Sequence, residues 1–199
     1  MPLTVAGAGP GNIELLTQEA VCAIKDADIV AGFERIASDV RPIRNDVKTL
    51  KGISEILDLP IETKKVLVLA SGDPCFFGIT EFIKNKNIKI EKVITGISSM
   101  QYFMAKIQKQ WQTLPFYSFH GRETDFTEMH SKDSFFILTD KTNNPDIISA
   151  RLKEEGFKGR LFVGYNLSYP DESIEEYTIG DKIIVKSFLN TVLVQNEKY

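Results

Sequence analysis

The sequence has few of the residues that mark several common classes of protein. Its 199 residues include only two cysteines, Cys22 and Cys75, and two histidines, His120 and His130. Two cysteines do not make a disulfide scaffold, and a structural zinc site usually needs four ligands, so we expect neither. A reduced, cytoplasmic setting and a protein without a bound metal are the simplest expectations.

Long apolar runs and an excess of basic charge are also missing. The most apolar run, at 66–70, is far shorter than the ~20 residues that a membrane-spanning helix needs, so we expect no membrane segment. Residues 1–5 include neither a basic region nor a long apolar region, so no secretory signal is expected. With 24 Lys+Arg against 27 Asp+Glu the net charge is −3, which argues against nucleic acid as a partner.

Hydrophobic residues nevertheless make up 43% of the chain, and their spacing predicts an α/β protein of two domains. In residues 1–111 short strands alternate with helices, and the unbroken apolar run is typical of a parallel strand covered on both faces. In residues 112–199 short gaps between strands, such as 180–181, favour a mixed or antiparallel sheet. We expect the boundary near residue 112 and a ligand site in the cleft between the domains.

Apolar and breaker residues also predict the individual elements. Strands are predicted over 3–6, 28–31, 65–70, 92–94, 116–119, 134–138, 160–165, 173–179, 182–185 and 191–194. Helices are predicted over 13–24, 53–57, 76–84, 98–108 and 145–155.

The first glycine loop, Gly7–Gly11, follows a predicted strand and precedes a predicted helix. A dinucleotide loop would have glycine at position 12, where this chain has Asn12, and Pro10 has no N–H to offer a pyrophosphate. A nicotinamide cofactor is therefore disfavoured. The looser G-x-G-x-G of Rossmann-like methyltransferases and a plain strand-to-helix turn both stay open.

Two further glycine loops, 71–78 and 95–100, also follow predicted strands. Gly72 allows close backbone approach, and the Asp73 carboxylate suits a hydroxyl or a cation, although Asp-Pro is also an ordinary turn pair. In the loop at 95–100, Ser98 or Ser99 could be no more than a helix N-cap. If the sheet is parallel, all three loops converge beyond the carboxyl ends of the strands, where α/β sheets bind ligands.

In their order and spacing these loops resemble motifs of the tetrapyrrole methylases. These are S-adenosylmethionine-dependent enzymes of corrin and sirohaem biosynthesis, with diphthine synthase as a relative. The resemblance covers nearly the whole chain. It is carried by Gly-Ala-Gly-Pro-Gly at 7–11, Ser-Gly-Asp-Pro at 71–74 with Phe-Phe-Gly at 76–78, and Gly-Ile-Ser-Ser at 96–99.

Two more segments, 118–122 and 166–172, resemble the branch of the cobalamin pathway that methylates C-5 of the macrocycle. Two residues depart from the family pattern. Thr95 replaces the usual proline before Gly-Ile-Ser-Ser, and Asn12 stands where an acid is common, which leaves the shapes of both loops open.

The resemblance implies a two-domain α/β fold with S-adenosylmethionine in the interdomain cleft, usually in a homodimer. It implies a cobalt-precorrin tetrapyrrole as substrate, and pathway contact with a decarboxylating C15-methyltransferase, a domain to which this activity is fused in related organisms. Carried over position by position, the implied cofactor-binding residues are Pro10, Gly72, Asp73, Pro74, Cys75, Phe76, Ser98, Ser99, Leu138, Thr139, Asn166 and Leu167.

Substrate recognition is expected to depend on local arginines, because the macrocycle carries many carboxylates whereas the protein is net negative. Arg122, in a distinguishing segment, is the first candidate and Arg35 the second; either could instead form a solvent-facing salt bridge. His120 is the candidate catalytic base, since it lies beside a motif and can titrate near neutral pH. A structural or substrate-positioning role is its alternative.

Other functions stay open from the sequence. One is a tetrapyrrole methylase with a different ring-carbon specificity, or one that acts on a protein side chain as diphthine synthase does. Another is a non-catalytic cofactor-binding module of the same fold.

Overall fold

The computed structural model describes residues 3–119, 121 and 125–197. The chain divides into two compact units, one that runs to Ser99 and one that begins at Met100. The described residues of each unit form one five-stranded sheet with helices, which confirms the predicted α/β class. The expected boundary near residue 112 lies later in the chain than this division. In the described ranges, no helix has the length and apolar character needed to cross a membrane.

The first unit contains a parallel sheet, as the sequence predicts. Its strands lie in the order β3-β2-β4-β1-β5. The central strand β4 is buried at every position, which explains its unbroken run of apolar residues. In chain order the strands are β1 (Leu3–Gly7), β2 (Ile29–Phe33), β3 (Lys48–Leu50), β4 (Val66–Ala70) and β5 (Ile90–Ile94).

Helices connect these strands. The Thr17 hydroxyl caps the first helix by accepting from the Ala20 N–H at 3.1 Å, and Ala20 and Ile24 bury its apolar face. These helices are α1 (Gln18–Asp26), α2 (Glu34–Val40) and α3 (Thr80–Asn85), with 3₁₀ helices over Ile13–Leu15 and Ile53–Asp58. A further helix, α4 (Ser99–Lys106), follows β5 and belongs to the second unit from Met100 onward.

The structure corrects several predicted elements of this unit. The helix predicted over 13–24 is interrupted, because Thr17 starts a new helix after the 3₁₀ turn. The helix predicted from residue 76 begins only at Thr80, since Phe77 has a φ of +50° that a helix does not allow. Neither α2 nor β3 was predicted: β3 has three residues, of which only Leu50 is buried, too few to show a pattern.

The second unit contains the predicted mixed sheet, in the order β6-β7-β10-β8-β9. The β6–β7 pair is parallel and the other pairs are antiparallel. Its strands are β6 (Phe116–Ser118), β7 (Ser134–Leu138), β8 (Gly159–Tyr165), β9 (Ser173–Thr178) and β10 (Asn190–Asn196). They are accompanied by a 3₁₀ helix over Thr127–Ser131 and by α5 (Pro145–Glu154), which Asn144 caps.

Residues 182–185 are not a strand, although their run of three apolar residues predicts one. Ile183 is buried whereas Ile184 is 83% exposed, so only one face of this segment is covered. The Ile183 N–H donates to Asp146 Oδ1 at 2.7 Å, a side-chain oxygen on α5, instead of to a neighbouring strand. The apolar residues of 182–185 therefore indicate that one face of the segment is buried, but not that the segment pairs with a strand.

Candidate functional site

The order of strands in the first sheet brings the three glycine loops together. They follow β1, β4 and β5, which are neighbours and parallel, so all three begin at the same edge. The Gly72 N–H donates to the Gly9 carbonyl at 2.9 Å, and the Gly9 N–H donates back at 3.3 Å. A Cβ on Gly72 would lie 3.3 Å from Cα of Ser98, in the third loop. The predicted convergence of the loops is confirmed.

Glycine is required where the loops cross because their backbones touch. A Cβ on Gly7 would lie 2.5 Å from the Gly72 carbonyl oxygen and 2.6 Å from Cα of Gly96. A Cβ on Gly96 would lie 2.8 Å from Cα of Gly7 and still closer to the Gly72 oxygen. Real Cβ contacts are not this short, so any side chain at these two positions forces the backbones apart.

Asp73 ties the second loop to the third. Its Oδ2 accepts from the Thr95 hydroxyl at 2.6 Å and from the Gly96 N–H at 3.1 Å, while its Oδ1 accepts from the Cys75 N–H at 2.8 Å. Partial burial acts to raise the pKa of Asp73, but the hydrogen bonds from Thr95, Cys75, Gly96 and Phe76 outweigh it and lower the pKa. The carboxylate is therefore ionised at neutral pH.

The rest of the second loop is folded tightly onto itself. Pro74 is buried, and its carbonyl accepts from the Thr80 hydroxyl at 2.9 Å. Gly78 packs against the same carbonyl with no room for a Cβ. Cys75 is exposed, and the half-buried Phe76 ring meets the Phe77 ring edge-on at 5.0 Å. This arrangement displaces the start of α3 to Thr80.

The remaining predicted residues of the first unit lie beside this cluster. Pro10 is buried directly after the Gly9 contact, and Ser98 is only 3% exposed. Arg35 follows β2, the other neighbour of β4. Its Nη2 donates to the Ser71 hydroxyl at 2.6 Å and its Nη1 lies 3.5 Å from Asp39 Oδ2. An arginine is thus held at the start of the second loop.

The predicted residues of the second unit also share one edge of their sheet. Leu138 ends β7 and Asn166 follows β8, and both strands are antiparallel to β10. Asn190, the first residue of β10, therefore starts between them, with Thr191 paired to Leu138. Thr139 follows Leu138, Leu167 follows Asn166, and both are buried.

A series of hydrogen bonds connects these strand ends, and we call it the rim network. The Thr139 hydroxyl donates to the Asn190 carbonyl at 2.6 Å and to Asn190 Oδ1 at 2.7 Å. Asn190 Nδ2 donates to the Ser187 carbonyl at 2.7 Å, and the Ser187 hydroxyl donates to Asn166 Oδ1 at 2.6 Å. Asn166 Nδ2 then donates to Asp171 Oδ2 at 2.6 Å.

The loop after β8 is held in a strained shape. Asn166 and Ser168 have φ values of +45° and +72°, in the left-handed region that non-glycine residues seldom adopt. The Ser168 N–H donates to Glu172 Oε2 at 2.6 Å, and Lys106 Nζ lies 2.9 Å from Glu172 Oε1. Burial acts to raise the pKa of Glu172, but the hydrogen bonds from Ser168, Lys106 and Tyr102 lower it. This loop overlaps residues 166–172, one of the two segments whose resemblance to the C-5 branch is described above.

His120 and Arg122, the candidate base and the first candidate for substrate binding, lie outside the described residues. The described neighbours in sequence, Phe119 and Gly121, are held by hydrogen bonds to residues at and just after the end of β7. The Phe119 N–H donates to the Leu138 carbonyl at 2.9 Å, and the Gly121 N–H donates to Asp140 Oδ2 at 2.8 Å.

Three residues that contribute to these edges were not predicted as site residues. Thr95 appears in the sequence only as a departure from the family pattern, yet its hydroxyl binds Asp73. Ser187 and Asn190 lie in a stretch without any motif, and their partners are far away in sequence: Thr139 and Asn190 are 51 positions apart. No signal within one segment could have revealed that pairing.

Comparison with known proteins gives consistent matches. A sequence profile of the Tetrapyrrole (Corrin/Porphyrin) Methylases matches residues 2–183. The cobalt-precorrin-7 C(5)-methyltransferase of Salmonella typhimurium is 31% identical, over 98% of this chain and 100% of that protein. The probable cobalt-precorrin-7 C(5)-methyltransferase of Methanocaldococcus jannaschii is 30% identical, over 89% of this chain and 92% of that protein.

Solved structures share the fold. The cobalamin biosynthesis precorrin-6Y methylase from Archaeoglobus fulgidus superposes with a TM-score of 0.78 at 21% identity, covering 99% of each chain. The uroporphyrin-III C-methyl transferase from Thermus thermophilus, complexed with S-adenyl homocysteine, also has a TM-score of 0.78, at 19% identity and 97% coverage of each chain.

Proposed function

Because the chain belongs to the Tetrapyrrole (Corrin/Porphyrin) Methylases, we propose that it is an S-adenosylmethionine-dependent methyltransferase that acts on C-5 of a corrin-pathway tetrapyrrole. The reaction would convert cobalt-precorrin-7 to cobalt-precorrin-8 in cobalamin biosynthesis. The observation that carries this assignment is the similarity, over nearly the whole chain, to proteins named as cobalt-precorrin-7 C(5)-methyltransferases.

The chemistry of the described residues fits the cofactor. S-adenosylmethionine combines a sulfonium cation, an amino acid, a ribose and an adenine, and it supplies a methyl group that is already activated. The ionised Asp73 suits a cation or a ribose hydroxyl, and the tight backbone of its loop allows close approach. Thr139 and Asn166 place polar groups, and Leu138 and Leu167 apolar ones, at one edge of the second sheet, as adenine recognition requires.

We propose as cofactor contacts the residues that the family resemblance implies. In the first unit they are Pro10, Gly72, Asp73, Pro74, Cys75, Phe76, Ser98 and Ser99. In the second unit they are Leu138, Thr139, Asn166 and Leu167. The main task of these residues is to hold the methyl donor in line with the macrocycle carbon, and orientation of this kind supplies roughly 7–11 kcal/mol of rate acceleration.

Arginines are proposed to bind the carboxylates of the macrocycle. The net charge of −3 does not attract a polyanion, so bidentate pairing with local guanidinium groups is the available means. Arg35 is held beside the second glycine loop by Ser71 and Asp39. Arg122 is proposed for the same task, and His120 for proton transfer to or from the macrocycle.

We also propose that the protein is a cytoplasmic homodimer. It is proposed to contact a decarboxylating C15-methyltransferase. Analytical ultracentrifugation of the purified protein alone should give the mass of a dimer. Addition of the C15-methyltransferase should increase the sedimentation coefficient if the two enzymes bind each other.

The decisive experiment is incubation with S-adenosylmethionine, labelled with carbon-13 in its methyl group, and cobalt-precorrin-7. We expect a product heavier by one methyl group, with the label at C-5 by NMR. A label at another ring carbon would indicate a different methylase of the same family, and cofactor binding without transfer to any tetrapyrrole would indicate a binding module.

Arg122→Ala separates the substrate role from a folding role. We expect a higher KM for the tetrapyrrole with unchanged affinity for S-adenosylmethionine. Equal losses of both affinities would show that Arg122 supports the fold and does not bind the substrate.

A further inference from the structure

The start of β10 lies at an edge of the second sheet where three chain segments meet. The segments are the exit of β7, the exit of β8 and the entry to β10. Backbone ladders no longer hold the chain at this edge, so side chains must satisfy the polar groups that the ladder leaves. The Asn190 side chain accepts from Thr139 and donates to the Ser187 carbonyl. The Ser187 hydroxyl accepts from the Leu189 N–H and donates to Asn166.

The donors of the rim network all point the same way. Thr139 donates to Asn190, and Asn190 donates to the main-chain carbonyl of Ser187. The Ser187 hydroxyl then donates to Asn166, and Asn166 donates to the carboxylate of Asp171. The series has two continuous parts, which meet at Ser187 through its carbonyl and its hydroxyl. Within each part successive hydrogen bonds of one direction polarise each other, and the Asp171 carboxylate strengthens the second part. The direction also fixes both amides, because each amide oxygen accepts and each amide nitrogen donates.

This arrangement limits how Asn166 can meet a ligand. Its side-chain oxygen and nitrogen are both engaged within the network, and its N–H donates to the Leu189 carbonyl at 2.9 Å. The φ of +45° turns the backbone at this point, and the two side-chain bonds hold it there. The side chain therefore shapes the loop that presents Asn166 and Leu167.

We propose that Ser187 and Asn190 are positioning residues, which hold Thr139 and Asn166 in the conformation that binds S-adenosylmethionine. This inference rests on the proposed function. Ser187 and Asn190 act on the cofactor through the residues they hold, and they act on its binding more than on the transfer step.

The chain offers a matched control on the same strand. Asn196 ends β10 as Asn190 begins it, and its side chain also bonds to backbone groups outside the strand. Its Oδ1 accepts from the Lys158 N–H and its Nδ2 donates to the Lys132 carbonyl, both at 3.4 Å. Asn196→Ala therefore removes similar bonds at the opposite edge of the sheet.

The test is calorimetric titration of S-adenosylmethionine into the full-length protein and its variants. We expect Ser187→Ala to raise the Kd by about tenfold, the effect of one hydrogen bond lost with its partner left unpaired. Asn190→Ala should raise the Kd by less, because Thr139 keeps its bond to the Asn190 carbonyl. Asn196→Ala should keep the Kd of the unchanged protein, even where its unfolding midpoint falls as far as that of Asn190→Ala. Ser187→Thr, which keeps the hydroxyl, should restore the affinity.

Kinetics provide the second readout. In Ser187→Ala the KM for S-adenosylmethionine should rise while kcat at saturating cofactor and the KM for the tetrapyrrole stay unchanged. An unchanged Kd in both Ser187→Ala and Asn190→Ala would overturn the inference. An equal rise of the Kd in Asn196→Ala would overturn it as well. If the unchanged protein itself fails to bind S-adenosylmethionine, the proposed function falls and this inference falls with it.

Discussion

The edge of the first sheet and the edge of the second sheet are built by different physical means. At the first edge, Gly7, Gly72 and Gly96 meet through their backbones, at distances where a side chain does not fit. At the second edge, side chains such as Thr139 and Asn190 connect strand ends by hydrogen bonds. Close backbone packing, reinforced by the Asp73 hydrogen bonds, therefore determines the first edge, whereas side-chain hydrogen bonds between strand ends determine the second.

This difference predicts different responses to mutation. A methyl group added at the first edge displaces backbone, so both folding and ligand binding should suffer together. A hydrogen bond removed at the second edge leaves the strands in place, so binding should suffer more than stability.

The largest expected effect is that of Gly96→Ala. The added Cβ would lie 2.8 Å from Cα of Gly7 and against the Gly72 carbonyl, and neither can move without opening the loops. We expect a loss of unfolding free energy of about 1–3 kcal/mol, together with a large loss of cofactor affinity. Urea unfolding and calorimetric titration measure the two effects.

Gly52→Ala is the control for that variant. Its Cβ would meet only Ser54 Oγ, at 3.8 Å, and the backbone at Gly52 is extended. We expect wild-type stability and affinity. A Gly96→Ala protein that resembles this control would contradict the steric account of the first edge.

Asp73→Asn should have the next largest effect, because it weakens the link between the second and third loops. The Gly96 N–H and the Thr95 hydroxyl lose a charged acceptor. We expect a loss of about 1 kcal/mol in unfolding free energy, at the low end for charged acceptors since the carboxylate is partly exposed. S-adenosylmethionine should also bind more weakly, and an unchanged Kd would remove Asp73 from the cofactor site.

The pH dependence of this variant gives a further check. Because the folded pKa of Asp73 is below its usual 3.8, the ionised group stabilises the fold fully above that value. The contribution is lost as the pH falls through the lower folded pKa. The stability difference between the unchanged protein and Asp73→Asn should therefore be constant near neutral pH and shrink in strong acid. A stability difference that grows on acidification would show that folding raises the pKa of Asp73 and does not lower it.

A smaller effect should separate the backbone and side-chain roles of Asn166. Both Asn166→Gly and Asn166→Ala lose the bonds to Ser187 and Asp171, but only alanine resists a φ of +45°. We expect the alanine variant to be less stable than the glycine variant by about 0.5–1 kcal/mol.

Asn87 provides the comparison, since its φ of +58° is similar and it lies just after α3. Its glycine and alanine variants should show the same difference in stability, with no change in the Kd for S-adenosylmethionine. Weaker cofactor binding in the Asn87 variants would show that the effect at Asn166 is not specific to the rim network.

The smallest effect on stability is expected for Arg35→Ala. Its bonds to Ser71 and Asp39 are at the surface, so the unfolding midpoint should stay within error. The KM for the tetrapyrrole should rise by about three- to tenfold, with the Kd for the cofactor unchanged. Arg41→Ala, at the other end of α2, should change neither, and an Arg35 variant that behaves likewise would exclude Arg35 from substrate binding.

The first edge could be predicted from the sequence because its physical requirements are local. A glycine loop after a buried strand is visible within about ten residues, and Gly7, Gly72 and Gly96 each stand in such a loop. A parallel sheet then brings the loops to one edge without further information. The exact course of the second loop was not predictable, since it depends on the φ of Phe77 and on the bond from Thr80 to Pro74.

The second edge could be predicted only in part. The family resemblance implies a role for Thr139 and Asn166, but it gives no sign of their hydrogen-bond partners Ser187 and Asn190. Hydrogen bonds between segments as distant as Thr139 and Asn190 depend on strand order, which hydrophobic periodicity does not give. Residues 182–185 show the same limit, because a half-buried pattern did not reveal that its N–H partner was Asp146.

The most direct test of the central claim is a crystal structure of the protein with S-adenosylhomocysteine. We predict one ligand molecule in contact with both the loop at 72–76 and the residues Thr139 and Asn166. A ligand bound elsewhere, or bound by the residues of one unit without the other, would contradict the claim that these two edges serve a single methyl donor.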